Sequence, residues 1–410
     1  MNAMPVSTLD AHIDAQRITA DLIEMVQCRS VNPFGSDAKV GEREHEFGEL
    51  YRSKLEGLGL RTAAHEVRPG RSNVWATLPG VGSTGSGPSK APTVLLAGHL
   101  DTVGIDGYAE PFSAHIVDGR LYGRGACDMK AALAAYLEVV RVLRAADIQL
   151  DGDLVIAGIC DEEHEMSGSA DYPAHGPTAD FAIIGEPTEL AVCSSHKGQI
   201  CLVITTYGTA VHSSRPELGV NAIVAMAQVI EALDGYADIL RNGPSHPLCG
   251  LATTNPGVIS GGTIASTVPD VCRLEIDRRT LPGQTLGLVM AELHAVLAPL
   301  AEQGLRYEIS APTIMSNPLD TPRDSPIVRA MTEAASAVSG KQVVATAFPA
   351  ATDAPNLGIP SVICGPGSLS DAHTLNEFVV IDDVVAAVKI YLRAILSLQA
   401  FVAGETTGRP

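Results

Sequence analysis

The apolar and polar positions fall into three textures along the chain. Ile18, Leu22, Ile23 and Val26 recur at helical spacing within residues 15–28, and a Glu-, Arg- and Leu-rich stretch over 41–58 predicts a second helix ending at Gly57 and Gly59. Asn73–Leu78 reads as a strand. Thr93–Ala97, Leu154–Ile159 and Phe181–Gly185 are short apolar runs without internal charge, the pattern of strands buried on both faces of an α/β sheet. An Ala/Leu/Val-rich helix runs from about Lys130 to Ala146. Gly80–Pro92 is Gly/Ser/Pro-rich and reads as a flexible loop rather than a domain linker, because a strand follows at once.

From about Val192 the texture changes. Lys197–Tyr207 alternates like a half-exposed antiparallel strand. A helix to about Leu233, strands near Asn255–Ser260 and Val271–Asp277, a turn at Pro282-Gly283 and a helix over Gly287–Ala301 come next. This β-α-β-β-α-β-like order suits a small ferredoxin-like α+β domain. The α/β texture resumes near residue 312, with a helix at Ile327–Val338, a strand at Ser361–Cys364 and a closing helix over Ile381–Phe401. The expected organisation is a mixed-sheet α/β domain in two parts, 1–191 and 312–410, with 192–311 inserted between them.

Composition narrows the setting. Of 410 residues, 46% are hydrophobic and 18% charged, as in an ordinary soluble globular protein. The net charge of −19 argues against nucleic acid or an anionic membrane as partner. The eight cysteines show no CxxC pairing, there is no signal-like N-terminus, and no uncharged stretch approaches membrane-spanning length. Reduced thiols and a cytoplasmic location are expected.

In open α/β sheets, ligands sit at the carboxyl ends of the strands. Here TVLLAG runs into His99 and Asp101, Leu154–Ile159 into Asp161-Glu162-Glu163-His164-Glu165, and FAIIG into Glu186. Asp128 lies where a Gly-rich turn meets a helix N-terminus, whose dipole and free amides keep a carboxylate ionised. Taken alone it would be a plain N-cap. Carboxylates crowded together raise one another's pKa unless a cation compensates them. The candidate ligands are therefore His99, Asp128, Glu163, Glu186 and His373, with Asp101 and Glu162 beside them. Imidazole and carboxylate without thiolate suit zinc, cobalt or manganese in a hydrolytic site. Five ligands exceed the need of one catalytic zinc but suffice for two ions, each with one His and one Glu and sharing a single Asp. Such a pair holds a bridging hydroxide and polarises a carbonyl, while a free Glu acts as general base.

GHLDTV, YGRGACDMK, DEE, GEPT, VHSSRPELGVNAI, DRRTLPG and SDAHTLNE, in that order, resemble the M20 metallopeptidase family, which includes acetylornithine deacetylase, succinyl-diaminopimelate desuccinylase, aminoacylase and glutamate carboxypeptidase. The resemblance spans about residues 15–400. It implies a zinc-exopeptidase-like catalytic domain holding two Zn2+ (Co2+ or Mn2+ as substitutes), with an inserted lid domain that dimerises. It implies that His99 binds one metal and Asp101 orients it, that Asp128 bridges and precedes a cis peptide, and that Glu162 is the general base. Glu163 and His373 would complete one metal and Glu186 the other. His212 would reach the partner subunit's site and steady the oxyanion, and Arg279 would bind the substrate α-carboxylate. Cys127, Ala131, Glu165 and Ser266 depart from the usual pattern; none removes a ligand. On local sequence alone, His212 reads as a surface turn residue, Arg279 as a cation paired with Asp277, and His45, His65, His115 and His164 as ordinary.

The expected activity is hydrolysis of the amide bond of an N-acyl amino acid, like that of acetylornithine deacetylase, by a homodimer. The alternatives are a carboxypeptidase or dipeptidase acting on short peptides, and a non-catalytic binding homologue, against which the complete ligand set argues.

Overall fold

Asp14 starts helix α1 (Ala15–Gln27) by accepting hydrogen bonds from the amides of Gln16 (2.9 Å) and Arg17 (3.1 Å), donors that a helix start otherwise leaves open. Ile18, Leu22, Met25 and Val26 of α1 are buried, as are Phe47, Tyr51 and Leu55 of α2 (Glu44–Gly57). The structure, a computed structural model, describes residues 6–34, 44–84 and 91–405; the expected helix start at 41–43 and residues 85–90 of the Gly/Ser/Pro loop lie outside the described residues. Strands β1 (Arg61–Arg68) and β2 (Arg71–Leu78) form an antiparallel hairpin. β1 is a largely exposed edge strand and so carries no apolar alternation that would mark it in the sequence. Next come β3 (Val94–His99), α3 (Ala131–Ala145), β4 (Leu154–Ile159), α4 (Ser167–His175), β5 (Phe181–Pro187) and β6 (Cys193–His196). Every residue of β3 and β4 is buried, as their uninterrupted apolar runs require.

The chain forms two compact units. One comprises Met1–Ser194, Thr321–Phe348 and Thr352–Pro410, the other Ser195–Asp320 with Pro349–Ala351. The second contains β7 (Gly198–Tyr207), α5 (Ala222–Arg241), β8 (Thr253–Gly261), β9 (Val271–Thr280), α6 (Leu286–Glu302) and β10 (Arg306–Ile309). Its sheet runs β8-β9-β7-β10, antiparallel throughout, the strand order of a ferredoxin-like unit. Alternate residues Ile200, Leu202 and Ile204 of β7 join a core with Met226 and Val229 of α5 and Leu293 and Leu297 of α6. α5 continues past Leu233 because Tyr236 and Leu240 prolong its buried stripe.

The chain then returns to the first unit through α7 (Pro326–Ser339), β11 (Ser361–Gly365) and α8 (Ile381–Glu405). There the sheet runs β1-β2-β4-β3-β5-β11, with Cys193 of β6 paired to Ile363. β4 pairs antiparallel with β2, whereas β4, β3, β5 and β11 are parallel to one another, so the residues after their carboxyl ends emerge along one sheet edge. α3 and α8 cover the sheet, with the Tyr136 and Tyr391 rings 5.4 Å apart. Among the described residues no helix is long and apolar enough to cross a membrane.

The sheet meets α3 with no spare space. A β-carbon at Gly185 would lie 2.3 Å from Ala132 Cβ and 2.6 Å from the Tyr136 hydroxyl. Gly185→Ala is therefore expected to destabilise the fold by about 1–3 kcal/mol through overpacking, read as a lowered urea midpoint. An unchanged midpoint would contradict this account of the packing.

Candidate metal centre

Two imidazoles converge on one carboxylate at the edge where the parallel strands end. His99, the last residue of β3, places Nε2 2.9 Å from Asp128 Oδ1 and 3.8 Å from Glu186 Oε2. His373 places Nε2 3.2 Å from the other oxygen of Asp128 and 3.2 Å from Glu163 Oε2. Donor atoms of His99, Asp128 and Glu163 all lie within 4.8 Å of one another. Glu163 comes after β4, and Glu186 lies within β5 next to Gly185.

A set of buried polar contacts fixes these side chains. The nitrogen of His99 that faces away from Asp128 is 2.9 Å from the backbone carbonyl of Asp101, while the Asp101 carboxylate stands 3.6 Å off. That carboxylate instead accepts the amides of Glu162 (3.1 Å) and Glu163 (3.0 Å) and the Asn32 side-chain amide (2.7 Å). Asp101 thus supports the imidazole through its backbone and the Glu162-Glu163 turn through its side chain. Asp161, opening that turn, is ion-paired with Arg71 at 2.8 Å and donates its amide to Glu44 at 3.1 Å. On the other side, Glu377 accepts the amides of Cys127 (3.0 Å) and Asp128 (3.1 Å) and is paired with Arg124 at 2.5 Å. The Asp128–Met129 peptide is cis, as the family resemblance implies.

Asn32, Arg71, Glu44, Arg124 and Glu377 are not among the candidates that the sequence alone suggests. Of these, Glu377, which ends the SDAHTLNE motif, and Arg124, which lies within YGRGACDMK, carry a sequence signal. Asp353, in the Thr352-Asp353-Ala354 step, is also buried, and burial pushes its carboxyl up to about 7.

Electrostatics decides what the cluster can hold. Burial, and then the charge of Glu186, raise Glu162 well above an ordinary carboxylate; burial likewise raises Glu186. Burial also works against ionised Asp128, yet hydrogen bonds from His373 and His99 hold it well below the usual range. Hydrogen bonds to Asp128 and Glu163 push His373 up to about 10. Burial opposes a charge on His99, but Glu186, Asp101 and Asp128 outweigh it and raise its pKa. In the protein alone, protons thus occupy the places of cations. Glu186 Oε1 is buried without a hydrogen-bond partner among the described residues. An orphaned carboxylate oxygen, crowded acids and two converging imidazoles fit divalent metal ions.

The remaining candidates lie in the second unit. His212 is exposed on a turn, with Nδ1 2.8 Å from Ser214 Oγ and 3.2 Å from the Ser214 amide. Arg279, in β9, makes a two-pronged pair with Asp277 at 2.9 and 3.0 Å. Of the departures from the family pattern, Cys127 is buried with its thiol donating to the Ser368 carbonyl, and Glu165 is paired with Arg68.

Fold and cluster together define a metal-dependent amide hydrolase. Residues 95–397 match Peptidase family M20/M25/M40, and the chain belongs to that family. It is 33% identical over 361 residues to the acetylornithine deacetylase of Proteus mirabilis (strain HI4320), covering 84% of this chain and 87% of that protein. Among solved structures it is similar to aminopeptidase PepT from Bacillus cereus (TM-score 0.76, 21% identity, 95% of this chain and 100% of the other). It is also similar to the M20 family metallo-carboxypeptidase Sso-CP2 from Sulfolobus solfataricus (TM-score 0.72, 22% identity, 94% and 99%).

Metal uptake should release protons, because His373 and His99 hold them above the ordinary imidazole range in the metal-free protein. Calorimetric titration with zinc near neutral pH is expected to give heats that depend on the buffer's ionisation enthalpy; equal heats in two buffers would count against it. For the metal-free fold the sign is set by the raised pKa. The contribution of His373 is fully present below its unfolded value of roughly 6.5 and is lost as pH rises through about 10. Chelation should abolish activity and lower the melting temperature, and metal should restore both.

Proposed function

We propose that this protein is a dinuclear metal-dependent deacylase that hydrolyses the amide bond of an N-acyl amino acid, in the manner of acetylornithine deacetylase. The observation that carries the reading is the sharing of Asp128, one oxygen facing His99, which has Glu186 3.8 Å away, and the other facing His373, which has Glu163 3.2 Å away. Charge supports two ions rather than one. Asp128, Glu162, Glu163 and Glu186 carry four negative charges when ionised, which two divalent ions balance and one does not. When bound, two zinc ions (or cobalt or manganese) polarise the scissile carbonyl and acidify the attacking water.

The chain's own residues do the rest. Glu162, not needed as a ligand, accepts the water's proton and returns it to the leaving amine. Asp101 positions it, since the Glu162 amide donates to the Asp101 carboxylate. Arg279, oriented by Asp277, takes the substrate α-carboxylate through a bidentate pair. His212 steadies the oxyanion in the site of a partner subunit. A homodimer formed through the second unit is supported by its edge strand β8, where Val258 and Ile259 are exposed, and by exposed Ile223 and Val224 on α5; an exposed edge strand invites pairing. The eight free cysteines support a reducing, cytoplasmic setting.

The substrate reading rests on the Proteus mirabilis relative, whose name is that of a deacetylase acting on acetylornithine. The peptidases share the fold at 21–22% identity, which does not transfer a substrate. A panel of N-acetyl, N-succinyl and N-formyl amino acids beside di- and tripeptides tests it: turnover of N-acetylornithine is expected, and turnover of peptides alone would overturn the deacylase reading. Glu162→Gln is expected to lower kcat by about 10²–10⁴-fold with unchanged metal content. Activity within twofold of wild type would remove Glu162 as the base.

A further inference from the structure

A second group of metal-ligating side chains lies on the outer edge of the first unit. His65 comes from edge strand β1, and Asp171 and His175 stand one turn apart on α4. Their donor atoms all lie within 4.8 Å of one another. His175 Nδ1 is 3.0 Å from Asp171 Oδ1, and His65 Nε2 is 3.5 Å from Asp171 Oδ2. That second oxygen is shielded from solvent and has no hydrogen-bond partner among the described residues. Faced by His65 Nε2 outside hydrogen-bond geometry, this oxygen would be satisfied by a cation taken up from solution.

We propose that His65, Asp171 and His175 form a binding site for a first-row transition-metal ion, Zn2+ foremost, separate from the centre around Asp128. Two imidazoles and one carboxylate are a borderline ligand set that suits Zn2+, Ni2+ or Cu2+ and not Mg2+ or Ca2+, which take oxygen ligands. Water completes the coordination. Asp171 and His175 are spaced i, i+4, so both project from one helix face, and His65 reaches the same point from the strand. The imidazole rings stack, 3.8 Å between centroids with planes 10° apart. They converge on an ion by turning about their side-chain torsions, for which the 36% and 45% exposure of the two side chains leaves room.

The ion would tie α4 to β1. α4 begins at Ser167, whose hydroxyl and amide both donate to Asp161 at the head of the Glu162-Glu163 turn. A metal at the outer site would therefore steady the segment that carries two of the central acids, acting through position and not through contact with substrate.

The metal-loaded enzyme is dialysed to equilibrium against zinc buffered at micromolar free concentration and its metal counted by elemental analysis, beside Asp171→Asn and His175→Ala. Wild type is expected to carry one more Zn2+ per chain than either variant; equal counts would overturn the proposal. The readout is a difference, so it does not depend on how many ions the catalytic centre takes or on what the enzyme hydrolyses. If the helix variants fail to fold, His65→Gln, which leaves α4 intact, should show the same loss of one ion. Cu2+ supplies an independent check, because its electron paramagnetic resonance should show coupling to two nitrogens in wild type and to one in His175→Ala. Identical spectra would also overturn the site.

Discussion

Asp128 gives one oxygen to His99 and the other to His373, and through it the end of β3 is joined to a loop contributed by the last part of the chain. A carboxylate taken out of water is costly unless both oxygens are paired, and here each has an imidazole. Much of the surrounding polar structure serves to hold that one group in place. Glu377 receives the Cys127 and Asp128 amides, and Arg124 in turn holds Glu377. Shifting Asp128 would separate both imidazoles from the carboxylate they share, so the centre's geometry stands or falls with this residue.

The opposite wall is tied together by Asp101. Its carboxylate gathers two successive amides and Asn32, and Asn32 also reaches Asp161 at 3.1 Å. Asp161 and His373 both have positive φ, 70° and 61°, a conformation that costs a non-glycine residue on the order of 1–3 kcal/mol and persists only where neighbours over-determine it. For Asp161 those neighbours are Arg71, Glu44, Asn32 and Ser167. For His373 they are Asp128 and Glu163. The backbone of the centre is thus set by the same contacts that set its charges.

The part of this legible in the sequence obeys a physical rule. β3, β4 and β5 are buried on both faces, so they appear as uninterrupted apolar runs, and parallel strands deliver the residues at their carboxyl ends to one edge. His99, Glu163 and Glu186 could be picked out on that ground. Asn32, Arg71 and Glu44 could not. They lie at a loop, an edge hairpin and a helix start whose local sequence carries no periodic signal, and they matter only through long-range contacts. β1 is missed for a related reason: an exposed edge strand has no apolar face to announce it. Arg279 and His212 show the limit from the other side, since a pair with Asp277 or a turn next to Ser214 looks the same in sequence whether or not a substrate is bound there.

The glycines preceding two of these residues let Met129, directly after Asp128, pack closely against the sheet. A β-carbon at Gly98 would lie 2.4 Å from Met129 Cε, and one at Gly185 would lie 3.0 Å from the same atom. Met129, directly after Asp128, is fully buried against both strands, and its sulfur is 3.3 Å from the His99 amide. At Gly98 the atom met is the flexible end of the Met129 side chain, whereas at Gly185 a β-carbon would also meet Ala132 Cβ at 2.3 Å and the Tyr136 hydroxyl at 2.6 Å. A glycine one residue before the functional side chain, in each of two neighbouring strands, therefore lets β3 and β5 pack closely against Met129 and α3. The sequence reads GH and GE at these points, where the strands leave room for Met129 and, at Gly185, for Ala132 and Tyr136 of α3 as well.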